Sequence, residues 1–548
     1  MPFLVSPPAA ASHLNRRSFL RLGSTAALGA LAAPALIGCA SGNGPSSWRN
    51  DPFSLGVAAG DPAPDGFVLW TRLAPDPLAP DPVSADPTMP GGLGGGDIII
   101  AYEIATDPAM RTIVRRGDAI AEAAFAHSVH LEVHGLEPGR PYWYRFRSAN
   151  AQSRIGKAMT LPAQGARVER LRYAFVSCAN YEIGYFSAYR HLADEQPDLI
   201  VFLGDYIYEY VEQRRPTVRK HMSGEAATLP VYRNRYAQYR LDPDLQRLHA
   251  EIPMIASWDD HEVENDYSGD WSMRFVAMDV FLRRRAAAYQ AFYEHMPLRP
   301  SRYSIGPNGP SIRLHDRFTF GELMEISLLD TRQYRSRLAC PRPPNRGGGH
   351  VETPASCAEL SDPSRSFLGA QQEGWLCDGL TRSRARWNVI AQSTLMAEWR
   401  QRTGSNEIGF WTEDWNGYPW SRTRLLQHLH DARIANPVVI GGDIHSFWAN
   451  DLKFDFDDPK SPTVATEFVG SSITSFGPPH DEFVTYLADN PHVRYFEGRR
   501  RGYVSVDVTA AGMTTQFRAV SDVRDPKATV ETLQSFVVEN GRAGAMKA

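Results

Sequence analysis

Residues 199–209 have the sequence LIVFLGDYIYE. The five apolar residues Leu199 to Leu203 predict a strand that is buried on both faces, as in a layered α/β domain. Gly204 suits a tight turn in which the backbone can come close to an ion. Asp205 and Tyr208 then supply a carboxylate and a phenol. This stretch therefore predicts a buried strand whose carboxyl end presents side chains of the kind that bind metals.

The same arrangement recurs along the chain. Further buried strands are predicted at Leu171 to Val176, Ile252 to Ser257, Leu323 to Leu329, Trp387 to Ala391 and Pro437 to Ile440. Helical patterns lie between them, at Ala286 to Glu294, Ala370 to Leu380 and Arg422 to Ala432. In a layered α/β domain the chemistry belongs outside the carboxyl ends of the strands. We therefore predict an α/β domain over residues 168–525, with its site at that edge.

Polar clusters follow four more of these strands: Ser177-Cys178-Ala179-Asn180, Trp258-Asp259-Asp260-His261-Glu262, Gln392-Ser393-Thr394 and Gly441-Gly442-Asp443-Ile444-His445. A single Asp after a strand is commonly a helix cap. Capping does not account for five clusters at one edge, because carboxylate, thiolate and phenolate groups would repel one another without cations. We expect a centre of two or three metal ions. Such a centre suits phosphoester hydrolysis, because it lowers the pKa of bound water to about 7 and clamps phosphate oxygens.

Residues 51–163 have a different pattern, with short strands separated by turns. Strands are predicted at Phe67 to Arg72, Ile98 to Ala105 and Ser128 to Val133. The turn Leu136-Glu137-Pro138-Gly139 leads to Tyr142 and resembles the tyrosine corner of fibronectin type III sandwiches. We predict an all-β, fibronectin type III-like sandwich here, after a linker at 41–50. The tail, 526–548, is predicted to carry a peripheral helix from Lys527 to Glu539.

Residues 1–40 have the pattern of an export signal. Arg16 and Arg17 precede Phe19 and an uncharged apolar stretch, which resembles the twin-arginine (Tat) signal of bacteria; an ordinary basic n-region is the alternative. The segment Leu36-Ile37-Gly38-Cys39 is similar to a lipoprotein box, with Cys39 as the lipid anchor; cleavage after Ala40 is the alternative. We expect export by the Tat machinery to the periplasm or the cell exterior, free or anchored to the membrane.

Composition and cysteine positions narrow the class of protein. With 43% hydrophobic and 22% charged residues and a net charge of −4, the 548-residue chain is globular and has no basic excess for nucleic acid. No apolar run of about 18 residues occurs after position 40, so no membrane span is predicted there. A disulfide between Cys340 and Cys357 would staple a Pro/Gly-rich loop. Cys377, on a predicted helix, is expected to be a small buried apolar residue.

Taken together, the motifs resemble the PhoD family of alkaline phosphatases over nearly the whole mature chain. The resemblance rests on Ser-Cys-Ala-Asn, Gly-Asp-Tyr-Ile-Tyr-Glu, Trp-Asp-Asp-His-Glu-Val-Glu-Asn-Asp, Leu-Asp-Thr-Arg-Gln-Tyr-Arg at 329–335 and Gly-Gly-Asp-Ile-His-Ser. It implies an αββα metallophosphatase domain, similar to the calcineurin-like and purple acid phosphatases, after the N-terminal sandwich. It also implies hydrolysis of phosphate monoesters and diesters at alkaline pH by a metal-bound hydroxide, with Fe3+ and Ca2+ as cofactors.

The resemblance implies roles for individual residues. Cys178 and Tyr208 would bind iron, and Asp205 would bridge the metals. His445 matches a histidine ligand of the superfamily. His261 resembles the histidine that contacts the phosphate or protonates the leaving group.

Three oxygen ligands stand where the superfamily has nitrogen or amide ligands: Asp260, Gln392 and Asp443. Oxygen in place of imidazole is what a change toward calcium requires. Arg332 is a candidate phosphate fork, with an ion pair to Asp330 or Asp316 as the alternative.

Several assignments stay open at this stage. Asn180 is either a phosphate or metal contact or a turn residue. Tyr206 and Glu209 are expected to pack behind the ligands. The segment from Trp411 to Trp420 is either a rim that shapes substrate access or a peripheral packing patch.

Three functions are compatible with the sequence. The first is an exported phosphatase/phosphodiesterase that releases phosphate. The second is a phospholipase D-like phosphodiesterase, which would need an apolar face near the pocket that the sequence does not place. The third is a non-catalytic exported protein that binds phosphorylated glycans through a relic metal site. The complete set of ligand candidates argues against a relic, since a relic should have lost at least one.

Overall fold

The computed structural model describes residues 44–79, 89–306, 309–343 and 348–548. The predicted export signal and the lipoprotein-type cysteine, Cys39, lie outside these residues. The described residues belong to one compact unit. Within them, no helix has the length and apolarity that a membrane crossing requires.

Two large sheets form the centre of the molecule. The first contains, in spatial order, β27 (Met546–Lys547), β26 (Val530–Glu539), β25 (Gly512–Val520), β24 (Gly502–Thr509), β9 (Arg170–Val176), β10 (Leu199–Leu203), β11 (Met254–Ser257), β1 (Val57–Ala63), β2 (Gly66–Arg72) and β5 (Ser128–Val133). The second contains β14 (Asp316–Phe320), β15 (Met324–Leu328), β17 (Trp387–Ala391), β20 (Pro437–Gly441), β22 (Thr463–Val469), β21 (Phe447–Lys453) and β23 (Val493–Glu497).

The sheets pack face to face, and helices cover their outer faces. Phe175, Val201 and Ile255 of the first sheet share one apolar core with Val389 and Ile440 of the second. A separate core lies between the first sheet and α1 (Ser187–Glu195), α2 (Leu229–Arg240), α3 (Pro243–Glu251) and α4 (Met278–His295). A third core lies between the second sheet and α5 (Gly369–Arg382), α6 (Pro419–Asp431) and α7 (His480–Tyr486). The layers are therefore helix, sheet, sheet, helix.

The central strands are buried on both faces because each sheet lies between two apolar layers. Every residue of β10, β17 and β20 is buried. Strands β9, β10 and β11 run parallel, as do β15, β17, β20 and β22. Parallel strands end at the same edge, so the polar clusters that follow them are brought together.

The N-terminal region forms two facing sheets. One is a smaller sheet of β3 (Ile98–Ala105), β4 (Ile113–Ala121), β6 (Pro141–Ser148), β7 (Ala151–Gln152) and β8 (Gly156–Met159). It packs against β1, β2 and β5 through a core that includes Ile100, Phe146, Phe67 and Leu69. Gly60 of β1 pairs with Met254 of β11, so one sheet of this region continues the ten-stranded sheet.

Tyr142, which follows the turn at 136–139, bonds to the backbone of that turn. The Tyr142 hydroxyl donates to the Glu137 carbonyl oxygen at 3.2 Å and accepts from the Glu137 N–H at 3.0 Å. This bond to the backbone five residues upstream closes the turn at Gly139.

The helix predicted from Lys527 to Glu539 is wrong. Residues Val530–Glu539 form strand β26, which pairs antiparallel with β25, and the chain ends in strand β27. Phe536 and Val538 are buried two positions apart, which is the period of a strand that is covered on one face. The β-branched and aromatic residues of this segment favour the strand once a partner strand lies beside it.

The predicted disulfide is confirmed. Cys340 and Cys357 are bonded, across a separation of 17 residues. Their loop contributes β16 (Val351–Glu352) to a small sheet with β19 (Ile408–Trp411) and β18 (Gln401–Arg402). A further hairpin joins β12 (Tyr303–Gly306) to β13 (Gly309–Ile312). Cys377 lies on α5 and is half-buried rather than buried.

Candidate metal centre and its pocket

Side chains from both sheets converge at the shared edge of the sandwich. Among the described residues, three groups have ligand atoms within 4.8 Å of one another. They are Cys178 with Asp205 and His445; Asp205 with Asp260 and His261; and Asp259 with Asp260 and Asp443. Asp205 belongs to the first two groups and Asp260 to the last two. The three groups therefore form one continuous cluster linked by shared carboxylates.

Four of these residues have backbone conformations in the left-handed region: Cys178 (φ 62°), Asp205 (φ 53°), Asp443 (φ 59°) and His445 (φ 52°). For residues with a Cβ, this conformation costs on the order of 1–2 kcal/mol each. Such strain persists where the surroundings over-determine it, and it is common at functional sites. The turn after each strand thus aims the side chain into the cluster at the expense of local stability.

Two glycines permit the close approach of these turns. Gly204 (φ 103°) lies against the backbone of Asp259, where a Cβ would clash. A Cβ on Gly442 would lie 2.8 Å from the Cβ of Ser177 and would also crowd its hydroxyl. The Cys178 N–H donates to the Gly204 carbonyl oxygen at 3.2 Å, which ties the first turn to the second.

The first group combines sulfur, oxygen and nitrogen donors. The Tyr208 hydroxyl donates to Asp205 Oδ2 at 2.9 Å, lies 3.2 Å from His445 Nε2, and accepts from Ser475 Oγ at 2.7 Å. His445 Nδ1 lies 2.7 Å from the Phe476 carbonyl oxygen, which must accept its proton. Nε2 of His445 is therefore left with its lone pair facing the cluster.

Burial makes the charged forms of these donors unfavourable in the protein alone. It raises the pKa of the Cys178 thiol well above its usual value, and the charges of Asp205 and Asp443 act in the same direction. Burial also raises the pKa of Asp205, Tyr208 and Asp443. The pKa of His445 falls to about 3 through burial and the nearby Arg501. The group thus combines a neutral imidazole with thiol, phenol and carboxyl groups. A cation bound between them would complete this set of ligands.

His261 is held by a buried carboxylate. Its Nδ1 lies 2.7 Å from Glu209 Oε2, and its ring lies 4.1 Å from that of Tyr208. Burial alone would lower the pKa of His261, but the charges of Asp205, Glu209 and Asp260 raise it well above the usual value. The contact with Glu209 fixes the ring so that Nε2 is the free nitrogen.

The third group offers oxygen atoms only. Asp259 Oδ2 and Asp260 Oδ1 are buried and have no hydrogen-bond partner among the described residues. The other Asp260 oxygen accepts from the Asp266 N–H at 2.6 Å, and Asp443 Oδ2 accepts from Thr394 Oγ1 at 3.2 Å. Asp260 Oδ1 lies 3.6 Å from Arg332 Nη2, beyond hydrogen-bond distance. Buried carboxylate oxygens without a hydrogen bond are costly, and a hard cation is the ligand that would satisfy them.

Arg332 lies behind this group and does not line the pocket. Its fully buried guanidinium forms ion pairs with Asp259, Glu413 and, at 3.6 Å, Asp260. The sequence offers an ion pair with Asp330 or Asp316 as the alternative to a phosphate contact. Arg332 does form ion pairs, but with other partners. Asp330 instead accepts from the Arg332 backbone N–H at 3.0 Å.

Asn180 and Gln392 have their side chains engaged within the protein. Asn180 Oδ1 accepts from the Glu182 N–H at 3.0 Å, and its Nδ2 donates to the Tyr210 hydroxyl at 3.1 Å. Gln392 Oε1 accepts from the Thr394 N–H at 3.0 Å and from Trp415 Nε1 at 3.1 Å.

A pocket of about 310 Å³ opens beside the cluster. Asp443 and His445 of the cluster line it, together with the aromatic residues Trp399, Trp411 and Phe483. The residues of the aromatic segment from Trp411 to Trp420 therefore have different roles. Trp411 borders the pocket with 36% of its surface exposed, whereas Trp415 is fully buried.

The sequence-based assignment missed three residues of this site. Asp259 was quoted in its motif but not assigned as a ligand, although its neighbour Asp260 was. Glu413 lies two residues after the flagged Trp411, and its charge inside an aromatic segment was a usable signal. Ser475, which donates to Tyr208, is far from every motif and carried no signal.

Comparison with known proteins agrees with this geometry. Residues 173–517 match the model of the PhoD-like phosphatase family, and residues 38–162 match that of the PhoD-like phosphatase N-terminal domain. Alkaline phosphatase D of Bacillus subtilis (strain 168) is 41% identical over 542 residues, covering 97% of this chain and 89% of the relative. A solved structure described as that of PhoD superposes with a TM-score of 0.83 at 41% identity, covering 92% of this chain and 93% of the other. The chain therefore belongs to the PhoD-like phosphatase family.

Proposed function

We propose that the chain is an exported, metal-dependent alkaline phosphatase and phosphodiesterase whose centre is the cluster at the shared sheet edge. Its family membership supports a phosphoric ester hydrolase. The observation that carries the proposal is the linkage of three ligand groups through Asp205 and Asp260. A shared carboxylate is what two adjacent cations need between them.

The donor types fit two kinds of metal. Cys178, Asp205, Tyr208 and His445 offer sulfur, oxygen and nitrogen, a mixture that favours a transition metal such as Fe3+. Asp259, Asp260 and Asp443 offer oxygen only, which favours a hard cation such as Ca2+. The unpartnered oxygens of Asp259 and Asp260 support this second site. Bound cations would supply an activated water and neutralise the charge of the phosphate oxygens.

The chain's own groups would position and protonate the substrate. Phe476 and Ser475 orient His445 and Tyr208. To bind a cation, Tyr208 would release its hydroxyl proton and with it the hydrogen bond to Asp205. His261, fixed by Glu209 and with Nε2 free, would donate a proton to the leaving oxygen of the ester. Arg332 would balance the charge of the acidic group through its ion pairs, instead of gripping the phosphate.

Gln392 and Asn180 stay predictions as site residues. The amide oxygen of Gln392 already accepts two hydrogen bonds, so metal binding there would require it to give up at least one. Asn180 would have to release either Glu182 or Tyr210. The export route, the lipid anchor at Cys39 and the fibronectin type III character of residues 51–163 likewise remain parts of this proposal.

One observation favours a second candidate function. A phospholipase D-like phosphodiesterase needs an apolar face near the site, and the pocket beside Asp443 has one in Trp399, Trp411 and Phe483. Hydrolysis of a diester with an apolar substituent is therefore compatible with this pocket.

The test combines metal content with turnover. Protein purified after export is analysed by mass spectrometry for metals and assayed with p-nitrophenyl phosphate and bis-p-nitrophenyl phosphate. We expect iron and calcium together with hydrolysis of both esters. A calcium chelator should abolish turnover, and added calcium should restore it. Zinc alone, or no metal and no turnover, would contradict the proposal and favour a non-catalytic binding protein.

A further inference from the structure

The pocket beside the cluster has an apolar wall that the chemistry above does not use. The apolar residues that line it are Trp399, Trp411, Phe483, Ile444, Pro478 and Pro479. Its volume of about 310 Å³ lies at the small end of the roughly 300–1,000 Å³ range of small-molecule sites. It is directly continuous with Asp443 and His445, so a group bound in it would be attached close to the reacting phosphate.

The wall is rigid before any ligand arrives. The Trp399 and Phe483 rings stack with centroids 5.6 Å apart, and Trp399 also packs against Trp448 at 4.7 Å. The Trp411 indole lies against Gly349, where an added Cβ would be 2.6 Å from Cζ2. Only glycine at position 349 leaves room for the indole so close to the backbone. A preformed wall loses little entropy when it receives a ligand.

Trp411 is also fixed through its backbone. It pairs with Val351 of β16, which belongs to the loop that the Cys340–Cys357 disulfide closes. Gln401, on the paired strand β18, lines the same pocket. The cross-linked loop and the three-stranded sheet thus hold Trp411, which is partly exposed, beside the site.

The charges around the pocket disfavour an anionic group. Within the described part of the chain, no Arg or Lys lines it. Its acidic residues outside the metal-capable groups are already engaged. Glu413 pairs with Arg335 at 2.9 Å, Asp414 accepts from the Asn416 N–H at 2.7 Å, and Asp266 accepts from the Gly349 N–H at 2.7 Å. An uncharged flat ring is the group that matches these walls.

We propose that this pocket binds an aromatic group carried on an ester oxygen of the substrate, with Trp411 and Phe483 as the specificity-determining residues. The inference rests on the proposed phosphoesterase function. Stacking plus burial of one ring edge predicts a preference of about tenfold for an aryl ester over a methyl ester at this wall.

The test compares Trp411→Ala and Phe483→Ala with the wild type, using the metal-loaded full chain. Inorganic phosphate release gives kcat/KM for phenyl phosphate and for methyl phosphate. Because each variant is compared with the wild type on the same ester, differences in leaving-group reactivity cancel. We expect about a tenfold loss for phenyl phosphate and less than about a twofold change for methyl phosphate. Trp420→Ala is the matched control, since Trp420 is 45% exposed and does not line the pocket.

A binding measurement separates recognition from chemistry. Calorimetric titration with phenylphosphonate and methylphosphonate, which are not hydrolysed, should show the same selective loss in Kd. An equal loss for both ligands, or none for phenylphosphonate, would overturn the proposal. If the wild type hydrolyses neither ester, the proposed function itself fails. If it hydrolyses both esters and neither variant changes the ratio of kcat/KM for phenyl phosphate to that for methyl phosphate, only the proposal of an aromatic pocket fails.

Three further esters identify the kind of group. If a nucleoside supplies the ring, the variants should lose as much kcat/KM with thymidine 5′-phosphate as with phenyl phosphate. A loss confined to phenyl phosphate would support a simple aryl ester. An equal loss for hexyl phosphate would show a pocket for apolar chains in general and overturn the aromatic assignment. A larger loss for choline phosphate would show a cation site and overturn it as well.

Discussion

Positive φ angles occur both in the N-terminal two-sheet region and at the sheet edge that carries the cluster, but they serve different purposes there. In the N-terminal region, residues with positive φ such as Met110, His127 and Ala149 lie between strands, where they let the chain turn. At the site, positive φ occurs at Cys178, Asp205, Asp443 and His445, which are the ligand candidates themselves.

Hydrogen bonding differs in the same way. In the N-terminal region the Tyr142 hydroxyl both donates to and accepts from Glu137. At the site, one oxygen of Asp259 and one of Asp260 have no hydrogen-bond partner among the described residues. The N-terminal region also has buried atoms without a hydrogen bond, such as the Tyr144 hydroxyl, but at the site these atoms belong to ligand candidates, for which a bound cation would be the partner.

The largest effect is expected from Cys178→Ser. Loss of the thiolate should remove iron and lower turnover on the order of 1,000-fold or more, since a Lewis acid is worth several kcal/mol. Metal analysis and kcat measure the two effects. Cys377→Ser, at the other free cysteine of the described residues, is the control and should change neither. Normal iron and turnover in the Cys178 variant would remove Cys178 from the centre.

His261→Ala should keep the metals and lower kcat at least about 100-fold, because a general acid would be lost. Glu209→Gln should have a smaller effect, about 10- to 100-fold, because it only orients His261. The test is kcat with a poor and a good leaving group. The loss should be greater with the poor one, which depends on protonation, and an equal loss would point to positioning alone.

Asp443→Asn should stabilise the metal-free protein while it inactivates the enzyme. Burial raises the pKa of Asp443, so this carboxyl lowers folded-state stability as the pH rises above about 4, the value in the unfolded chain. Denaturant unfolding in chelator should show the variant gaining about 1–3 kcal/mol at pH 8 and little at pH 4. A pH-independent difference would mean that the Asp443 charge is compensated without metal.

Tyr142→Phe should give the smallest effect. Removing a paired hydroxyl should lower the free energy of unfolding by about 1 kcal/mol and leave kcat and metal content unchanged. Lower metal content would show that the N-terminal sheet and the site are coupled through β1 and β11, which pair at Gly60 and Met254.

The elements that the sequence predicted well share a physical basis. The central strands were found because sheets buried on both faces require uninterrupted apolar runs, as at Leu199–Leu203. The clusters after them were found because parallel strands end together. The strand at Val530–Glu539 was missed because its alternation is weak and its state depends on a partner strand in β25.

The sequence by itself determined the family and the ligand candidates, because each depends on residue types at short spacing. It indicated a disulfide between Cys340 and Cys357 but left the connectivity of the cysteines open, and the structure decided it. Only the tertiary structure decided what each side chain touches. It paired Arg332 with Asp259 and Glu413, occupied the amide of Gln392, and placed Trp411 on Gly349 beside His445. Apart from the bond between Gln392 and Thr394, these contacts join residues more than 20 positions apart. They depend on the packing of one sheet on the other, which no local pattern encodes.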